Sequence, residues 1–111
     1  MKLIIAIVQD EDSSRLVNQL MKNGFGVTKL ATTGGFLRAG NTTLLIGVDE
    51  DKLHAAMELI EHVCKSRKQV TTAPSAMGSM GGMPGAASYP VEVTVGGATV
   101  FVLSVDQFVK L

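Results

Sequence analysis

Residues 3–8, Leu3-Ile4-Ile5-Ala6-Ile7-Val8, are apolar without a break. A continuous apolar run of that length reads as a strand buried on both faces. Asp10-Glu11-Asp12-Ser13-Ser14 follows at once, and acid with hydroxyl caps predicts a helix start. Leu16, Val17, Leu20 and Met21 then form one stripe at helical spacing, and Gly24 predicts the stop, because glycine takes the left-handed cap at little cost. A second strand is expected over 25–32 and a third over 42–48.

The second helix carries the clearest pattern. Asp49 is its expected cap, and Leu53, Ala56, Met57, Ile60, Val63 and Cys64 share one face. Lys65, Arg67 and Lys68 are expected at its C-terminal end, where the helix dipole favours cations. Residues 69–89 are rich in Gly, Met and Ala and are expected to be a mobile loop within a single domain spanning 1–111. Met77, Met80 and Met83 recur there at every third position, which suits either an adaptable binding segment or a tolerated insertion. Beyond it Val91, Val93 and Val95 alternate with Glu92 and Thr94, Gly96-Gly97 reads as a turn, and 99–105 reads as a closing strand.

The order strand–helix–strand, twice over, with an extra C-terminal strand, predicts an α+β, ferredoxin-like fold. Both helices would then lie on one face of an antiparallel sheet. The first, third and last strands are apolar on both sides, so the other face needs a cover, and another copy of the chain supplies one. A homo-oligomer is expected.

Composition narrows the function. The 111 residues are 46% hydrophobic and 18% charged, with ten basic and ten acidic side chains and no net charge. Nucleic-acid polymers and charged membrane surfaces are poor partners for such a chain. The apolar run at the N-terminus is too short to span a bilayer and lacks the features of a signal peptide. One cysteine cannot form an internal disulfide, and a cytoplasmic location is expected.

The segment Thr32-Thr33-Gly34-Gly35-Phe36-Leu37-Arg38-Ala39-Gly40-Asn41 holds most of the candidate chemistry. Paired glycines let backbone N–H groups converge on an anion, and Arg38 adds a charged donor for phosphate. Phe36 offers a stacking surface in a loop, and Asn41 presents a donor beside an acceptor, the pattern that reads an adenine edge. The plainer alternative is a glycine turn whose Phe36 and Leu37 pack on a neighbouring subunit. His54, Glu58 and His62 lie one turn apart, yet they share a face with Glu61 and Lys65 and read as solvated pairs rather than a metal site. Cys64 completes an apolar stripe and reads as core. No general base falls within reach of the glycine loop, so catalysis is not expected.

The opening through Ile7-Val8-Gln9-Asp10, the block 28–43 and the ending 89–102 together resemble the PII-like cyclic-di-AMP receptors over nearly the whole chain. That resemblance implies a homotrimer binding one cyclic dinucleotide in each cleft between neighbours, with no cofactor besides that ligand. It implies ligand contacts from Gly35, Phe36 and Leu37 in the loop, beside the Arg38 read above as a phosphate donor, adenine contacts from Thr28 and Asn41, a close approach at Gly47 and a pocket wall at Phe101. It implies no catalytic residue, and a change in loop order that alters contact with a protein partner of unknown identity. Relatives can carry larger polar residues where this chain has Gly24 and Gly26, and the linker 70–88 also departs from the family pattern. A classical PII sensor of ATP or ADP is the alternative within the fold, but its long loop with a modifiable tyrosine has no match here, since Tyr89 lies elsewhere. A trimeric metal-tolerance protein would need ligands this sequence does not cluster. A trimeric scaffold without ligand is the third alternative.

Overall fold

The computed structural model of the chain describes residues 1–30, 40–74 and 88–111. It divides into two compact units, one of Met1–Lys65 with Gly96–Leu111 and one of Ser66–Val95. In the first unit the elements run β1 (Lys2–Gln9), α1 (Asp10–Lys22), β2 (Gly26–Leu30), β3 (Asn41–Val48), a 3-10 turn (Glu50–Lys52) and α2 (Leu53–Cys64). The second unit holds β4 (Arg67–Pro74) and β5 (Ser88–Val95), and the chain returns to the first with β6 (Ala98–Ser104).

Four strands form one antiparallel sheet in the order β2-β3-β1-β6. The two inner strands β1 and β3 carry long apolar runs, yet β1 is fully buried on one side only, its other side being partly covered. Alternation along β1 sends Ile4, Ala6 and Val8 into the core, where they meet Leu44, Ile46 and Val48 of β3. Leu16 and Leu20 of α1 and Ala56, Ile60, Val63 and Cys64 of α2 join the same cluster. The order and the two helices are those of a ferredoxin-like fold.

The end of α1 follows the local chemistry, whereas the expected caps at the two helix starts do not form. At the end of α1, Phe25 N–H donates to Leu20 O at 3.0 Å and Gly24 N–H to Met21 O at 3.1 Å, with Gly24 at φ 83°. These two bonds satisfy carbonyls the helix would leave unpaired, and buried Phe25 packs under the turn beside Leu20. Ser13 does not cap α1. The helix already begins at Asp10, and Ser13 Oγ donates to Asp10 O at 3.0 Å inside the first turn. Asp49 precedes the 3-10 turn rather than α2 and makes no side-chain cap bond.

Other expectations are corrected. Met21, expected in the buried stripe of α1, is 62% exposed, because Leu16 and Leu20 already fill the contact with the sheet. The last strand is not an extra one. β6 is the fourth strand of the sheet and pairs with β1 along its length, from Lys2 opposite Ser104 to Val8 opposite Ala98. Residues 91–95 lie in β5, which pairs with β4 instead, with Lys68 bridged to Glu92 at 3.2 Å. Arg67 and Lys68 therefore start a strand rather than finish α2. Of the segment 69–89, residues 69–74 and 88–89 are strand, and 75–87, with Met77, Met80 and Met83, lie outside the described residues.

Candidate ligand-binding site

Register decides which side chains share the sheet face away from the helices. Thr28 lies opposite Leu45, Leu45 opposite Ile5, and Ile5 opposite Phe101, so one row crosses all four strands. The next row is Gly26, Gly47, Leu3 and Leu103. Three of the expected site residues, Thr28, Gly47 and Phe101, thus fall on this face, and Asn41 falls on it too, opposite Gln9 at the end of the sheet.

Among the described residues no element of the first unit covers that face. Phe101 is 51% exposed, Leu103 47% and Leu30 40%. Thr28 is also exposed and stands on an edge strand, while Phe101 stands on the opposite edge. Three strand spacings separate them, about 14 Å. The single chain brings Thr28 beside Gly47 but does not bring either to Phe101.

The two glycines facing each other across β2 and β3 are not required by the fold. A Cβ at Gly26 would meet nothing within 4 Å, and one at Gly47 would meet only Met1 Cε at 3.7 Å, an ordinary contact. Neither has a positive φ. Their effect is to leave bare backbone on the open face, next to Thr28, where a flat group can approach closely.

Asn41 is placed by the corner between β1 and α1. It lines a cavity of about 240 Å³ together with Gln9, Gly96, Gly97 and Thr99. Gln9 Oε1 accepts the Gly96 N–H at 2.7 Å, which turns its amide nitrogen toward other partners. Sequence reasoning missed Gln9, although its place one residue beyond an apolar strand was visible. Gly35, Phe36, Leu37 and Arg38 lie outside the described residues. A larger hollow of about 690 Å³ lies on the helical side, lined by Asn23, Phe25, Lys52, Leu59 and His62, and includes none of the expected site residues.

The remaining candidate side chains His54, Glu58, His62 and Cys64 all fall on α2. His54 Nε2 and Glu58 Oε1 are 3.0 Å apart on the exposed face of α2. Among the described residues no group of three or more His, Cys, Asp or Glu side chains could hold a metal. Cys64 is buried in the core. No helix among the described residues is long and apolar enough to cross a membrane.

Fold and open face together define a small ferredoxin-like protein with a bare, partly apolar sheet surface edged by polar groups. The family described as cyclic-di-AMP receptor matches it over residues 1–111, and the chain belongs to that family. It is also similar to the crystal structure of a functionally unknown protein from Pediococcus pentosaceus ATCC 25745. The two are 42% identical, with a TM-score of 0.76, over 99% of this chain and 96% of that one.

Proposed function

We propose that three copies of this chain assemble and bind one cyclic-di-AMP in each cleft between neighbours, as a cytoplasmic receptor that signals by changing its contacts rather than by chemistry. The observation that carries it is the arrangement of the open face. Thr28 with the Gly26–Gly47 recess occupies one edge of the sheet, and Phe101 occupies the other. A cyclic assembly joins two different patches of the same surface, so one copy's β2 edge meets the next copy's β6 edge. That junction completes a pocket the single chain leaves divided, and covers Phe101, Leu103 and Leu30 in the same step.

In this reading Thr28 and Asn41 hydrogen-bond an adenine, Gly47 admits its plane, and Phe101 walls the pocket. Gly35, Phe36, Leu37 and Arg38 supply backbone N–H groups, stacking and phosphate contact from the loop. Ligand binding then favours one arrangement of the loops over others and so alters the protein partner engaged.

Isothermal titration with cyclic-di-AMP, beside cyclic-di-GMP and ATP, tests the proposal. Saturable binding near one ligand per chain, selective for cyclic-di-AMP, is expected. A response to ATP alone would reassign the chain as a classical energy sensor, and silence toward all three would leave an assembly without these ligands.

A further inference from the structure

The corner where β1 meets α1 grips Asn41 from both sides. Asp10 N–H donates to Gly40 O at 2.8 Å, and Asp10 Oδ1 accepts the hydroxyl of Thr42. One residue therefore holds both chain neighbours of Asn41. Gly40 sits at φ 97°, a conformation side chains resist, so the backbone turns sharply into β3 just where Asp10 holds it. Thr42 is 2% exposed, which fixes its hydroxyl direction, whereas Asp10 is exposed and adds nothing to the core. Its carboxylate supplies a charge-assisted bond to Thr42 across the corner. The strand partner of Asn41 is Gln9, itself tied to Gly96, so the wall facing Asn41 is also held.

We infer that Asp10 is a positioning residue for the ligand: it holds Gly40 and Thr42 so that the Asn41 amide is already oriented before binding. Binding to a side chain fixed in advance avoids the ordering cost that a free strand end would add. This rests on the reading of Asn41 as a ligand contact.

Titration of cyclic-di-AMP into the full chain and into Asp10→Ala, Asp10→Asn and Thr42→Val, with apo thermal melts alongside, tests it. Asp10→Ala and Thr42→Val should each weaken binding roughly 10- to 100-fold, the range for one charge-assisted hydrogen bond. Asp10→Asn keeps an acceptor oxygen and should stay within about tenfold of the unsubstituted chain and bind tighter than Asp10→Ala. The Asp10→Ala, Thr42→Val double variant should bind no worse than the weaker single, because both remove the same bond. Rescue by Asn separates positioning from a loss of folded protein, which the melts report directly. Unchanged affinity in Asp10→Ala, with the parent chain binding normally, overturns this inference alone. A parent chain that does not bind cyclic-di-AMP overturns the proposed function and this inference with it.

Discussion

At the scale of single residues, a substitution at Gly47 would separate the needs of folding from those of the proposed binding. Glycine weakens a strand, and here the space for a methyl group is open. Gly47→Ala should therefore leave stability unchanged or raise it by about 0.5 kcal/mol, since alanine restricts the unfolded chain. The same methyl group would fill the recess beside Thr28, and a clash of that kind costs about 1–3 kcal/mol, a loss of roughly tenfold or more in cyclic-di-AMP affinity. Melting and titration of one variant read both effects, and a loss of stability would mean that the glycine serves the fold after all. Phe36 gives a complementary test. If a base stacks on its ring, Phe36→Ala should weaken binding by about 1–3 kcal/mol; an unchanged titration removes Phe36 from the site. The importance of Gly47 could not be read from composition, because a lone glycine in an apolar run announces neither its strand partner nor its face. Register supplies both, and opposite Gly26 the position becomes a recess.

Elements were legible where one pattern had one explanation. The stripes of α1 and α2 and the unbroken runs of β1 and β3 led directly to the core. The two last strands were harder, since 91–95 and 98–104 both look extended. Their patterns do differ in kind. Val91, Val93 and Val95 alternate with polar residues, as suits a hairpin strand with one wetter side, whereas Val100-Phe101-Val102-Leu103 is continuous, as suits a neighbour of the central β1. The partner of β5 was hidden because Arg67 and Lys68, good helix-terminal residues, in fact open β4. The chain leaves the first unit after Lys65 and returns at Gly96, and Gly97 N–H bonds Cys64 O at that junction. Replacing Ser66–Val95 by a short Gly/Ser link should therefore leave a cooperative melt and the circular dichroism of a mixed α+β protein, because β6 would still reach its place beside β1. By contrast Leu20→Ala, which empties a fully buried position on α1, should cost about 2–5 kcal/mol in chemical denaturation.

At the scale of the whole molecule, the uncovered face would link stability to binding in the proposed assembly. Phe101, Leu103 and Leu30 are each about half exposed, and covering what remains would contribute roughly 1 kcal/mol apiece. Beyond β6 the chain also leaves Phe108 66% and Val109 58% exposed, a tail that the apolar pattern of the strands did not foretell. Phe101 and Leu103 stand on β6, while the polar Thr28 and the bare glycine backbone stand on β2 with Leu30 beside them. The asymmetry favours a closed ring of head-to-tail contacts over a two-fold pair, which would join like to like. Light scattering on the purified chain should accordingly give about three times 11.7 kDa. In the proposed ring Phe101→Asp would bury a charge at the junction and should lower the mass toward one copy. In the proposed assembly each pocket is completed by a neighbour, so the same variant should lose cyclic-di-AMP binding in step with assembly, and raising protein concentration should restore both together. A variant that stays trimeric yet binds nothing would make Phe101 a ligand contact only; one that falls to monomers and still binds at full affinity would place the whole site within one chain and end the case for a shared cleft.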